Sequence, residues 1–237
     1  MWDRYPEYKP RKTVAADNQK KLEKLIKKNP KLHPIKIEGK KLAETWWGLA
    51  WNKNLEAYSD YSNRIGRGRS YVRGNAVFDL QVQAGLVTAI VQGSRSKPYE
   101  IKIKIEPLSP LKWEYISAAC SNKIANIEAL AEGKFPEALA NLFTDPKNGL
   151  FPSPKEIKFE CSCPDWADMC KHVAAALYGV GARFDHNPAL LFTLRDINFE
   201  GLLKKSIAEK MQNMLKNVDK KSKRIMTKVN INAVFDI

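Results

Sequence analysis

The chain has 237 residues, 44% of them apolar, with 12 glycines and 13 prolines; that is enough to bury a core and excludes a wholly disordered or low-complexity chain. No apolar run approaches the roughly 18 residues of a membrane helix, and Met1-Trp2-Asp3-Arg4-Tyr5-Pro6 lacks the apolar stretch of a secretion signal, so the expected address is cytoplasmic with no membrane partner. Lysine and arginine number 40 against 26 acidic residues, a net charge of +14, which favours polyanions, nucleic acid before acidic membrane or protein surfaces.

The basic excess is uneven. Residues 1–44 hold 13 basic and 6 acidic residues, 45–110 hold 9 and 5, and 201–237 hold 9 and 3. Residues 156–200 reverse the balance, with 4 and 7. A surface for anions is therefore expected outside 156–200.

Residues 1–16, with Pro6 and Pro10, read as irregular. Residues 17–28 fit a short helix capped by Asp17 or Asn18, striped by Leu22, Leu25 and Ile26, and stopped by Asn29-Pro30. Its other face is lysine, which is either solvated or a basic arm for phosphates. His33, between Leu32 and Pro34, reads as a loop residue. Thr45 then caps a second helix in which Trp47, Trp51, Leu55 and Tyr58 share one face. Aromatics at that spacing read as core rather than as a base-stacking surface.

Arg64, Arg67, Arg69 and Arg73 follow within ten residues, interleaved with Gly66, Gly68 and Tyr71. The glycines suggest a turn, either solvated or presenting guanidinium forks to phosphate oxygens. A Gly-x-x-x-x-Gly-Lys-Ser/Thr phosphate loop is absent.

Three strands come next. Phe78, Leu80 and Val82 alternate with polar residues, Ala84-Gly85 turns the chain, and Val87, Ala89 and Val91 form the second apolar row. Gln92-Gly93-Ser94-Arg95-Ser96-Lys97-Pro98 is a loop, and Tyr99, Ile101, Ile103 and Ile105 alternate with charged residues. This pattern predicts an antiparallel meander with one wet face. Arg95 and Lys97 join Arg64, Arg67, Arg69 and Arg73 as candidate nucleic-acid-binding residues.

Ser109-Pro110 opens a helix carrying Leu111, Tyr115, Ala118, Ala119 and Ile127 that fades by Gly133. Cys120 within it reads as a buried structural thiol. A short helix runs from Pro136 to Phe143, and residues 144–149 form the best domain boundary.

The other three of the four cysteines fall within ten residues, which indicates metal or redox chemistry in a reducing compartment rather than a disulfide scaffold. Residues 156–163 read as a strand running into a turn, so Cys161 and Cys163, two apart, point the same way. A helix with Val173, Leu177, Val180 and Phe184 along one stripe follows Cys170. Cys170 is expected at or just before its start, with His172 in the first turn reaching back. Three sulfurs and one imidazole complete a tetrahedral set for one structural Zn2+. The set carries net charge −1, which the helix N-terminus and Lys171 offset. No ligand position is left for a reactive water, and the His-x-Glu with Pro-Cys-x-x-Cys pattern of zinc deaminases is absent. Metal-free packed thiols and a redox sensor are the alternatives. No nucleophile–base–carboxylate set is evident, so an enzyme is not expected.

The pattern Cys-x-Cys-x6-Cys-x-His resembles the SWIM zinc finger, and the run from Cys161 to Ala175 is similar to its bacterial form. Residues 45–51, 67–71, 91–95 and 188–195 also look like small bacterial SWIM-domain proteins. The resemblance spans roughly residues 40–200. It implies a zinc-bound β-hairpin-plus-helix module that binds DNA or proteins, with ligands Cys161, Cys163, Cys170 and His172, and a gene often placed beside a Swi/Snf-type helicase-like ATPase.

Beyond the module, His186 before Asn187-Pro188 reads as local capping. Residues 199–216 predict an amphipathic helix with Leu202, Leu203, Ile207, Met211, Met214 and Leu215. Lys220, Lys221, Lys223 and Arg224 form a basic run.

The expected fold class is α+β: an antiparallel β-meander with flanking helices, then a small zinc-bound module and C-terminal helices. The expected division is a basic extension over 1–38, an α+β domain over 39–148, the zinc module over 149–200, and a basic helix and tail over 201–237. The expected function is a nucleic-acid-binding adaptor, DNA first and RNA second. The alternative is a protein-interaction subunit of a Swi/Snf-type ATPase that does not itself touch nucleic acid.

Overall fold

The computed structural model describes residues 10–57, 62–123 and 139–198, and single helical positions between 201 and 216. Several expectations lie outside the described residues: the state of 1–9, Tyr58 in the tryptophan stripe, the helix beyond 123 with Ile127, the Pro136 start, the side chain of Cys120, Leu202, Leu203 and Met214, and the 220–224 run.

One four-stranded antiparallel sheet organises the chain. Its strands are β1 (Val77–Gln83), β2 (Leu86–Val91), β3 (Tyr99–Ile105) and β4 (Ile157–Cys161), paired in that order. Gly85 makes the β1–β2 turn with a positive φ of 65°, a conformation that glycine reaches without Cβ strain. On β3, Tyr99, Ile101, Ile103 and Ile105 are buried while Glu100, Lys102 and Lys104 are exposed, so the alternation delivers the expected single wet face.

Among the described residues up to 198, the helices are α1 (Arg11–Lys28), α2 (Trp46–Glu56), α3 (Ser62–Arg73), α4 (Pro110–Lys123), α5 (Ala140–Phe143), α6 (Lys171–His186) and α7 (Ala189–Leu194). α6 is the central element. It packs on α2, α3 and the sheet, and 12 of its residues are buried, around its whole circumference. A helix apolar on all sides belongs inside a core. Its small residues admit close neighbours: a Cβ on Gly181 would stand 2.5 Å from Asn52 Oδ1 on α2, and a Cβ on Gly179 would stand 2.8 Å from Leu80 Cδ1 on β1.

The tryptophans of α2 are core, as their spacing predicts. The Trp51 indole N–H donates to the Leu177 carbonyl at 2.9 Å and that of Trp47 to the Phe184 carbonyl at 3.0 Å. Thr45 caps α2 by accepting from the Gly48 N–H at 3.2 Å. Asp185, on the last turn of α6, accepts from the Glu44 and Thr45 N–H groups and the Thr45 hydroxyl. A carboxylate at a helix N-terminus is favoured by the helix dipole.

Four features go against or beyond the sequence reading. Residues 62–73 are a helix, not a glycine turn; the glycine at 68 serves as the point where α3 closely approaches α6. α1 begins at Arg11 after Pro10 with no side-chain cap; Asn18 is not a cap but a buried mid-helix residue whose Nδ2 donates to the Gly74 carbonyl at 2.8 Å. Leu111 and Tyr115 of α4 are exposed, at 79% and 54%, while Ile116 takes the buried position. Finally, β4 pairs with β3, and one apolar core joins residues from Ile35 to Leu194, so sheet and core run across the boundary expected at 148/149. The stretch beyond α1 is also docked: the Ile35 N–H donates to the Val77 carbonyl, and the Leu80 N–H to the carbonyl of His33.

Among the described residues, no helix is long and apolar enough to cross a membrane.

Candidate metal centre

Cys161 ends β4, opposite Ile101 of β3. The ladder continues past it: the Ser162 N–H donates to the Glu100 carbonyl at 3.0 Å, and the Glu100 N–H to the Ser162 hydroxyl at 3.0 Å. This extension fixes the direction in which the chain presents Cys163. After the 164–169 loop, Cys170 is the N-cap of α6 with φ −72° and ψ 168°, its sulfur accepting from the Val173 N–H at 3.5 Å. His172 lies in the first turn, 2% exposed.

One donor atom from each of Cys161, Cys163, Cys170 and His172 falls within 4.8 Å of the others. Cys170 Sγ and His172 Nδ1 are 3.8 Å apart. A zinc tetrahedron with bonds of about 2.3 Å to sulfur and about 2.05 Å to nitrogen has edges of roughly 3.6–3.8 Å. The donor set, its chemistry and its spacing therefore fit one zinc ion.

The thiols repeat this in their acidities. Hydrogen bonding from Cys161 first, then from His172 and the Val173 N–H, holds Cys170 down to about 4 against the opposing effect of burial. The hydrogen bond to Cys170 and then burial push Cys161 far above its ordinary value, and burial also raises Cys163. One thiolate sits at the helix N-terminus, and two further negative charges beside it need a cation.

The imidazole is clamped by aromatic rings. The ring centroid of Tyr99 is 4.4 Å from that of His172, and that of Tyr71 is 5.3 Å away in an edge-on arrangement. A Cβ on Gly93 would stand 3.0 Å from His172 Nε2 and would collide with the Tyr99 ring. The start of the basic loop thus lies directly against a metal-ligand candidate.

The six candidate nucleic-acid residues divide. Arg64 is turned inward onto Asp165 of the metal loop at 2.9 Å. Arg69 lies between α2 and α6: its Nε donates to the Tyr178 hydroxyl at 2.8 Å, its Nη2 is 2.6 Å from Glu56 Oε1, and Tyr178 in turn donates to Glu56 at 2.6 Å. Arg73 is exposed and donates one N–H to the Lys40 carbonyl at 2.8 Å. Arg67, Arg95 and Lys97 are exposed. α3 and the start of the 92–98 loop meet at one cavity, which Tyr71, Arg73, Gln92 and Ser94 help to line. The sequence left that proximity open. Asn18 and Gln92, which also line the cavity, were missed, because nothing in a lone amide on a helix or after a strand signals what it will face.

The other two histidines lie away from this cluster. The His33 carbonyl accepts from Arg183 Nη2 at 2.7 Å, and His186 ends α6 before the Asn187 C-cap.

Residues 155–180 match the family model described as SWIM zinc finger. The chain is 39% identical over 163 residues to the uncharacterized protein Rv2102 of Mycobacterium tuberculosis. That alignment covers 68% of this chain and 58% of the relative, so the chain spans little more than half of the relative's length. No solved structure matches.

Proposed function

Since residues 155–180 are a SWIM zinc finger with a ligand set fit for one zinc ion, we propose that the chain is a non-catalytic nucleic-acid-binding adaptor of the cytoplasm, DNA being its first partner and RNA its second. The metal is structural in this reading: four protein donors leave no position for a reactive water. One observation carries the proposal. The helix bearing Arg67 and Arg73 and the loop bearing Arg95 and Lys97 come together at one cavity, beside the Tyr71 ring. Guanidinium groups and a flat ring on one surface suit a phosphate chain with its bases.

Arg64 is paired with the partly buried Asp165, and Arg69 is engaged by Glu56 and the Tyr178 hydroxyl, so both are removed from the phosphate-facing set. Four cations remain. A salt-titrated mobility-shift assay on duplex DNA tests the reading: at about −0.9 per cation the log–log slope of affinity against salt is about −3.6. A flat response overturns it.

A second reading, a protein-interaction subunit of a Swi/Snf-type helicase-like ATPase, draws on Leu111 and Tyr115, exposed one turn apart on α4. Serine at both positions would then abolish capture of such an ATPase while leaving nucleic-acid retention unchanged.

A further inference from the structure

The cavity between α1, the end of α3 and the start of the 92–98 loop has a volume of about 380 Å³. This lies at the small end of the roughly 300–1,000 Å³ range of ligand pockets, which suits one nucleotide unit rather than a large cofactor. Its surface is mainly apolar, with Val14 and Ala76 in the wall and Arg11 and Arg73 among the lining residues. Tyr71 contributes a ring that is itself braced against His172.

Two buried amides line this cavity, Asn18 at 6% exposure and Gln92 at 3%. Asn18 Nδ2 donates to the Gly74 carbonyl at 2.8 Å. Gln92 Nε2 donates to the carbonyls of Gly93 at 2.7 Å and Arg95 at 2.6 Å. Carbonyl oxygens only accept, so both amide nitrogens must face the backbone, and the orientation of each amide is settled by its partners. Their oxygens, Asn18 Oδ1 and Gln92 Oε1, have no hydrogen-bond partner among the described residues. The site therefore offers acceptors in an apolar surround with cations beside them. It is suited to a flat anionic ligand that brings its own donors.

The geometry points to a pocket for one unstacked base of a single-stranded nucleic acid, a base bearing an exocyclic amine, with the adjoining phosphates on Arg11 and Arg73. Adenine and cytosine, and guanine through its N2, bring an exocyclic amine with two donors to these oxygens; thymine has a carbonyl oxygen where cytosine has its amine and keeps only the single N3–H as a donor. A strand rather than a free nucleotide is the occupant, because further exposed cations lie on the same two elements as the cavity lining: Arg67 on the helix of Tyr71 and Arg73, and Arg95 and Lys97 on the loop of Ser94. The inference rests on the nucleic-acid reading above and adds to it a preference among bases.

The test is fluorescence anisotropy of the full zinc-loaded chain with short labelled oligo-dA, oligo-dC and oligo-dT at one salt concentration. Oligo-dA and oligo-dC should bind roughly tenfold more tightly than oligo-dT, the discrimination of one well-placed base contact. Ser70→Trp, which fills the cavity from α3, should reduce all three to the oligo-dT affinity with zinc content and melting temperature unchanged. If that variant melts early, Ser94→Trp, from the loop side, is read in its place. Equal affinity for the three oligonucleotides overturns the base pocket and leaves the adaptor reading standing. Absence of binding to all three, and to duplex, overturns both.

Discussion

Gly68 of α3 lies against Ala174 of α6 so closely that a Cβ on Gly68 would stand 2.6 Å from the Ala174 Cβ and 3.1 Å from its carbonyl carbon. The neighbour is a buried helix backbone, which cannot step aside. Gly68→Ala should therefore force the two helices apart and cost about 1–3 kcal/mol, the usual penalty of overpacking. Gly66, two residues earlier in the same helix, is exposed, and a methyl group added there would have nothing within 4 Å. Gly66→Ala should stabilise by roughly 0.5–1 kcal/mol through helix propensity alone. Denaturant midpoints of the two variants, moving in opposite directions, check the pair. Equal shifts would mean that α3 does not pack where it is placed.

The same pair shows how far the sequence could be read. Elements whose signal is local were legible: the period-two rows of β1 to β3, the Thr45 cap, the tryptophan face, and the Cys-x-Cys and Cys-x-His spacings that bring four donors together. α3 was not, because Gly66 and Gly68 look alike in sequence, and only the partner helix distinguishes an open glycine from one in a close crossing. The central place of α6 was legible in principle: Ala174, Ala175, Ala176, Gly179, Gly181 and Ala182 leave almost no polar face. The pairing of β4 with β3 spans some fifty residues, and no local pattern encodes it. The fate of Arg64 and Arg69 was hidden for the same reason, since Asp165 and Glu56 reach them only through the fold.

Removal of the metal should act locally first. α6 is held by α2, α3 and the sheet over most of its surface, whereas the loop from Ser162 to Met169 has far less regular structure and depends on its ends at Cys163 and Cys170. Chelation, or Cys170→Ser, should abolish zinc binding and lower the melting temperature on the order of 10 °C, part of the large free energy that structural zinc supplies. Hydrogen exchange should accelerate at residues 161–172 while the amides of Ala176 to Val180 stay protected. Simultaneous loss of protection throughout α6 would show that the metal holds the whole core. An unchanged melting curve with full zinc content in Cys170→Ser would remove the metal centre from the account.

Glu156, partly exposed, pairs at 2.7 Å with Arg195 and joins the entry to β4 with the end of α7. Arg195 is fully buried, and its Nη1 also donates to the Glu106 carbonyl at 2.8 Å. Burial pushes the Glu156 carboxyl up, but the hydrogen bonds from Arg195 and from the Ser153 N–H and hydroxyl outweigh it and hold the group down to about 2. A depressed carboxylate contributes stability that is present above its unfolded value and lost as pH falls through the folded one. The wild type should lose stability between about pH 4.5 and pH 2. Glu156→Gln should be destabilised by about 3–5 kcal/mol at neutral pH, because it strands a buried guanidinium, and should lose the part of the acid slope that Glu156 supplies. Urea denaturation at several pH values measures both; equal pH slopes for the two proteins would contradict the pairing.

Arg69 and Arg95 look alike in the sequence and should fail in opposite ways. Arg69 closes a triad with Glu56 and Tyr178 across α2, α3 and α6, and its guanidinium carbon lies 5.8 Å from the Tyr178 ring centroid. Burial and the hydrogen bond from Tyr178 to Glu56 raise the Tyr178 phenol well above its ordinary value, with the Arg69 hydrogen bond opposing them. Arg69→Ala removes one partner from the buried Tyr178 hydroxyl and one from the more exposed Glu56 carboxylate and should cost about 1–3 kcal/mol of stability, with the salt slope of DNA binding unchanged. Arg95 is exposed, and among the described residues it lends the fold only its backbone carbonyl, which Gln92 holds. Arg95→Ala should leave the melting curve in place and reduce the salt slope by about 0.9 on duplex DNA. Melting curves and salt-titrated binding on the same two preparations separate the roles. A loss of slope in Arg69→Ala at unchanged stability would return that arginine to the phosphate-facing set and sever the triad.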